Sequence, residues 1–263
     1  MSVQDFDRGV DDLRRLLGRG PAWLGGDPST ESKSALFPLA NTTLELRGPS
    51  AGREGLCGLR LGAEELQTQR ARLQGRAIGC GEVRHESEAG MAKAPPRAWN
   101  GISLDVEASR QVPIELIEPV AGWPSVAGRP AEDSLASVVA LDHVVILSAD
   151  VESTRDFYAR GLGIRLALDR SFEERGVRLI FFRLGGVTIE IGSRLGAEPR
   201  PEAPDRFGGL AWRVGDVAAT RERLMAEGFD VSEVRVGHKP GTRVCTVRDP
   251  VHGVPTLLIQ AKL

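Results

Sequence analysis

The chain has 263 residues, 41% of them hydrophobic and 27% charged, with 34 Lys and Arg against 36 Asp and Glu. That length fits two domains of about 130 residues better than one, and the composition excludes a disordered chain. A formal net charge of −2 without a basic stripe argues against nucleic acid as a partner. No apolar run reaches the roughly 18 residues of a membrane span, and residues 1–7 lack the basic and apolar regions of a secretory signal. Cys57, Cys80 and Cys245 are odd in number and have no CxxC spacing, which points to reduced thiols and a cytoplasmic location.

In chain order, Asp5 reads as a helix N-cap. Residues 6–18 follow as a helix with Val10, Leu13, Leu16 and Leu17 on one packing face, stopped by Gly18. The run TTLEL, residues 42–46, and the run VPIELIE, residues 112–118, read as strands. Residues 119–136 are rich in Pro, Gly, Ala and Ser and read as a linker. Residues 137–148 (SVVALDHVVILS) form a strand, and Asp150 caps a helix over 151–162 that Gly163 ends. Strands are expected over 164–168, 178–184 and 187–191, then a loop rich in Pro and charge over 194–206. A strand over 208–214, a helix over 216–227, and strands near Val231, over 243–247 and over 255–260 complete the chain.

The second half is thus the unit β-α-β-β-β written twice, and the first half repeats it twice more. Asp5 placed on Asp150, an offset of 145, puts Gly18 on Gly163 and Glu45 on Glu190, with DFDRGVDDLRRLLG over DVESTRDFYARGLG. Arg70 on Arg221, an offset of 151, puts Gly58 on Gly209 and RARL on RERL. Val112 on Val254, an offset of 142, puts VPIELIE on VPTLLIQ. The units begin near residues 1, 55, 137 and 207, so the expected modules are 1–118 and 137–263, joined by the linker 119–136. The counterpart of His143 in the first unit would be 143 − 145 = −2, before Met1, so the expectation is that this unit either lacks its first strand or has it encoded upstream of Met1. An unpaired edge would remain, for which a homodimer or a borrowed strand is a remedy.

Four such units in two modules, carried by LDHVVILSADVESTRDFYARGLGI, VTIEIG, RDPVHGVPTLLIQ and VPIELIEP, resemble the vicinal oxygen chelate superfamily. That superfamily includes glyoxalase I, methylmalonyl-CoA epimerase, extradiol dioxygenases and the fosfomycin and bleomycin resistance proteins. The resemblance implies an α+β fold in which paired units roll into open, cup-shaped mixed sheets. It also implies metal ligands on the first and last strands of each unit. Those positions hold Gly58, His143 and Gly209 on first strands, and Glu45, Glu115, Glu190 and Leu257 on last strands.

Pairing units two and three brings Glu115, His143 and Glu190 together, the one pairing that yields three ligands. Such a set suits a divalent Zn, Ni, Mn or Fe ion. Glu115 and Glu190 each sit in an apolar strand, where a carboxylate needs a cation, donors or water, and they are the expected catalytic groups. Alternation along the strands nominates Arg60 and Arg213 as contacts for an anionic part of the substrate. His85, His238 and His252 read as loop residues. The implied activity is a metal-dependent lyase or isomerase acting on a small substrate with vicinal oxygens. A metal-free binding protein of the resistance type and an extradiol-dioxygenase-like enzyme stay open as alternatives.

Overall fold

Asp5 accepts a hydrogen bond from the Arg8 N–H and opens α1 (Phe6–Leu17), which Gly18 closes in the left-handed conformation at φ 70°. Asp150 caps α3 (Val151–Asp156) in the same way through the Ser153 N–H, and a π-helical turn (Phe157–Gly161) carries the chain to Gly163 at φ 72°. Arg70 donates to the carbonyl of Gly81 and to Glu82, and Arg221 donates to the carbonyl of Ser232 and to Glu233. The repeat therefore preserves hydrogen bonds as well as text. The computed structural model describes residues 1–27, 29–123 and 135–261.

The N-terminal sheet holds β1 (Trp23–Asp27), β2 (Ser32–Pro38), β3 (Thr43–Gly48), β4 (Leu59–Gly62), β5 (Arg84–Gly90), β6 (Arg97–Ser103) and β7 (Ile114–Ala121), with α2 (Leu66–Gly75) between β4 and β5. Its order is β3-β2-β1-β5-β6-β7-β4. The C-terminal sheet holds β8 (Val138–Leu147), β9 (Arg165–Phe172), β10 (Val177–Leu184), β11 (Val187–Arg194), β12 (Arg206–Val214), β13 (Arg235–Val236), β14 (Thr242–Val251) and β15 (Val254–Ala261), with α4 (Val217–Ala226) after β12. Its order is β13-β14-β15-β12-β8-β11-β10-β9. The expected linker overlaps the end of β7, and residues 124–134 lie outside the described residues.

β8 pairs in parallel with β11 of its own unit and antiparallel with β12, the first strand of the fourth unit. β7 pairs with β4 and β6 in the other sheet. Units therefore pair as neighbours in the chain, first with second and third with fourth. The crosswise pairing of units two and three does not form.

In the first unit the expected gap is narrower than a whole strand. Ser2 bridges Arg47 in the parallel sense and Gly55 in the antiparallel sense, the two senses in which β8 bridges its neighbours. The sheet closes instead at its opposite rim, where β1 pairs with β5 through Gly25↔Gly90 and Gly26↔Ala89. Only glycine permits that approach, because a Cβ on Gly25 would lie 2.2 Å from the Ala89 carbonyl oxygen. The equivalent outer strands of the C-terminal sheet, β9 and β13, are not paired to each other, so its cup is open.

Alternate strand residues divide the two faces. Val144, Ile146, Ile180, Phe182, Ile189 and Ile191 are buried on the convex side, each contributing about 1.5–3 kcal/mol of apolar burial. Trp212, Cys245 and Leu258 are buried on the same side. His143, Val145, Phe181 and Glu190 have the opposite parity and face the cup. No helix among the described residues is long and apolar enough to cross a membrane.

Candidate functional site

Six charged side chains fill the hollow of the N-terminal sheet. Arg97 is fully buried and donates through Nε and Nη2 to Glu88 Oε2 at 3.0 and 2.7 Å, with a further bond to Glu45. Its guanidinium lies 4.7, 5.0 and 4.9 Å from the rings of Trp23, Trp99 and Trp123. Arg47 donates to Glu88 Oε1 at 2.8 Å, and Arg60 bridges Glu115 Oε2 at 2.8 Å and Glu45 Oε2 at 2.6 Å. Burial pushes the Glu45 carboxyl up, but Arg60, Arg97 and Arg47 outweigh it and hold it below the usual carboxylate range. Three arginines and three glutamates balance, so this cup is neutral and occupied by its own side chains.

Two of the nominated residues have partners within this sheet. Glu115 does not join His143, because its strand belongs to the other sheet and its carboxylate accepts from Arg60 and, at 3.3 Å, from Trp99 Nε1. Arg60, nominated to hold substrate, is engaged by Glu45 and Glu115.

The C-terminal cup is different. The parallel register of β8 and β11 sets Thr188 beside His143 and Glu190 beside Val145. His143 Nδ1 lies 2.9 Å from Asp142 Oδ1, and Nε2 lies 3.6 Å from Glu190 Oε2. Asp142 in turn is 3.7 Å from Arg213 Nε, while Arg213 Nη2 donates to the carbonyls of Leu141 and Gly186. Arg213, the second nominated substrate contact, is thus held by the protein behind the imidazole. The hydrogen bond with His143 holds the Asp142 carboxyl below its ordinary range. Burial pushes the Glu190 carboxyl up, against the opposing charges of His143 and Arg175. An imidazole oriented through Nδ1 by a carboxylate thus faces, at 3.6 Å, a carboxyl that burial makes reluctant to ionise.

Residues 142–246 match the family model of the Glyoxalase/Bleomycin resistance protein/Dioxygenase superfamily. The C-terminal module belongs to that superfamily. Over the whole chain, the fold is shared with a triple mutant of 4-hydroxymandelate synthase from Streptomyces coelicolor, at TM-score 0.66 and 16% identity, covering 98% of this chain and 90% of that one. Methylmalonyl-CoA epimerase from Mycobacterium tuberculosis is similar over 48% of this chain and 90% of its own, at TM-score 0.41 and 23% identity. The uncharacterized protein YwkD of Bacillus subtilis (strain 168) is 27% identical over 113 residues, which are 42% of this chain and 88% of that protein. The two-module glyoxalase-like fold read from the sequence is the fold observed.

A divalent ion is implied by the superfamily, and the donor set of this glyoxalase-superfamily cup can be tested against it. His143 and Glu190 supply two donors. Leu257 supplies none, and Gly209 occupies the remaining position at φ 144°. A Cβ on Gly209 would lie 2.5 Å from the Pro255 carbonyl oxygen, and one on Gly58 3.1 Å from that of Pro113. The backbone crowds out a side-chain ligand at both places. Catalytic divalent ions ordinarily take three protein ligands. The residues present do not fit the ion, and among the described residues no three His, Cys, Asp or Glu side chains group as a metal site.

Asp142 went unnoticed in the sequence although it precedes His143, because neighbouring strand residues are expected on opposite faces. The strand irregularity where β12 crosses this point, between Ala211 and Trp212, lies beside Leu141 and His143. His252, read as a loop residue, lies at the module boundary with its ring nitrogens 3.1 Å from Glu54 Oε2 and 3.1 Å from Asp12 Oδ2. It borders a cleft of about 500 Å³ lined also by Arg8, Arg15 and Phe229, remote in the sheet order from His143.

Proposed function

We propose that the C-terminal cup binds a small carbonyl compound and moves a proton on it without a resident metal, as a lyase or isomerase, with His143 and Glu190 as the acid–base pair. The observation that supports this reading is the Asp142–His143–Glu190 chain on an open cup face. The 3.6 Å gap between Nε2 and Oε2 is too long for a hydrogen bond and leaves a shared approach to one substrate atom. One member of the pair takes the proton from a carbon next to the carbonyl, and the electron pair moves onto the carbonyl oxygen. The other member returns a proton to carbon or oxygen. Burial of Glu190 makes its carboxylate a stronger base than a solvated one, which suits abstraction near neutral pH. The N-terminal module acts as scaffold, since its charges are mutually satisfied. The free thiols of Cys57, Cys80 and Cys245 suit a reducing compartment such as the cytoplasm.

The second reading is a binding protein without turnover, favoured by Gly209 and Leu257 at positions where other members carry reactive groups. The test is proton NMR in D₂O with a panel of 2-oxo acids, 2-hydroxy ketones and acyl thioesters, in EDTA and then with Mn, Ni or Zn added. Exchange of a C–H signal in EDTA, slowed about 100-fold or more by Glu190→Gln, is the expected result. Exchange only after metal addition overturns the metal-free mechanism. Binding without exchange in any condition supports the second reading.

A further inference from the structure

We propose that the ligand of the C-terminal cup is a small organic acid, an anion with an apolar body. This rests on the reading of that cup as the ligand site, and it adds what the site selects.

The two cups of this chain share one topology and differ in charge pairing. In the closed cup, Arg47, Arg60 and Arg97 each have a glutamate partner within 4.0 Å. In the open cup, Arg183 and Arg235 have no carboxylate at that distance among the described residues. Off the cup floor, Arg178 pairs with Asp169, Arg221 with Glu233 and Arg248 with Asp230, while Arg243 has no such partner among the described residues.

Strand register places both unpaired arginines on the cup face. Arg183 pairs with Thr188 across β10 and β11, and Thr188 pairs with His143 across β11 and β8. Arg183 Nη1 donates to Thr188 Oγ1 at 2.8 Å, so its guanidinium lies over β11, about 5 Å from the strand that carries His143. On the other wall the same row runs His143–Ala211–Leu257–Thr246, and Arg235 Nη1 reaches Thr246 Oγ1 at 3.4 Å. The charge of Arg175 is also felt at Glu190. Unneutralised guanidinium groups around a concave, partly dry surface raise the local concentration of anions and bind carboxylates through paired N–H donors.

The adjacent row is apolar. Leu168 pairs with Phe181, and Phe181 pairs with Glu190. Leu168 remains 47% exposed and its strand neighbour Leu166 41%, on an outer strand that presents them to solvent. A ligand whose charge meets Arg183 and whose body covers Leu168 and Phe181 would lie over β9 and β10, beside the His143–Glu190 pair.

The experiment is titration calorimetry of the full chain with 3-phenylpropionate, with 3-phenylpropanol as the uncharged counterpart, and with inorganic phosphate. We expect 3-phenylpropionate to bind at least about tenfold more tightly than the alcohol, a difference of about 1.4 kcal/mol. Its affinity should fall about tenfold in the Arg183→Gln/Arg235→Gln double variant and fall with added salt. Equal affinity for acid and alcohol, or a double variant that binds unchanged, overturns the proposal. Phosphate binding as tightly as 3-phenylpropionate overturns the requirement for an apolar body. Hydrogen exchange locates the acid: protection of residues 138–147 and 187–194 supports the site, whereas protection confined to the N-terminal sheet refutes the cup reading itself. Binding at the cup without proton exchange on any carbonyl compound counts against the reaction and leaves the ligand class standing.

Discussion

Replacing Arg97 with Ala tests whether the N-terminal cup is held together by its own charges. Arg97 is fully buried, with two bonds to Glu88 and one to Glu45, and is enclosed by three tryptophans. Breaking a buried ion pair by removing one partner costs about 3–5 kcal/mol, because the other charge stays behind. Each lost cation–π contact adds about 0.5–2 kcal/mol. Against this, Glu88 keeps Arg47 and Glu45 keeps Arg60, so the net loss should stay near about 3–5 kcal/mol. At roughly 2–4 °C per kcal/mol, the melting temperature of that module should fall by about 6–20 °C. The assay is urea and thermal unfolding followed by tryptophan fluorescence in a Trp212→Phe background, which leaves Trp23, Trp99 and Trp123 as the reporters. Millimolar guanidinium ion should restore part of the loss by refilling the cage, whereas equimolar sodium chloride should not. A loss under about 1 kcal/mol, typical of an exposed pair, would refute the reasoning.

Glu190→Gln should raise the melting temperature more at pH 7 than at pH 4. Burial raises this carboxyl in the folded chain, so its stabilising protonated form is present at low pH and lost as pH rises through the folded value; thermal melts at both pH values check it. His252→Ala should destabilise by about 1–3 kcal/mol by leaving Asp12 and Glu54 facing each other across the module boundary, and hydrogen exchange should rise at the β14–β15 turn. Gly209→Ala should cost more than about 1 kcal/mol, because its φ of 144° and the Pro255 carbonyl both disfavour a Cβ; denaturant midpoints report the loss. Burial raises the Cys245 thiol to about 11, so a disulfide exchange reagent should label exposed Cys57 at once and Cys245 only after unfolding.

Much of the fold was legible because it rests on local signals. Asp5, Gly18, Asp150 and Gly163 mark helix ends through capping and left-handed turns, and they recur at a fixed offset. His143 and Glu190 were legible as a pair for the same reason: both stand inside alternating apolar strands of one unit. Glu115 stands on the expected strand, where Arg60 and Trp99 are its partners. Side-chain count favoured a crosswise site, while the neighbouring first strands of each pair of units joined instead. The Arg97 cage escaped notice because its parts, Trp23, Glu45, Glu88, Trp99 and Trp123, come from both units of the first module and the segment read as linker, and carry no spacing that links them. The closure of β1 on β5 depends on Gly25 and Gly26, whose bare backbone is silent in hydrophobic periodicity.

The most direct test of the account compares two glutamates, one from the last strand of a unit in each module. Glu115→Gln and Glu190→Gln are each assayed for C–H exchange in D₂O on the carbonyl compound that the native chain turns over. The account predicts that Glu190→Gln loses about 100-fold or more in exchange rate, and that Glu115→Gln, once shown to be folded, exchanges at the native rate. Loss of exchange in Glu115→Gln with Glu190→Gln unaffected would place the chemistry in the N-terminal cup and contradict it.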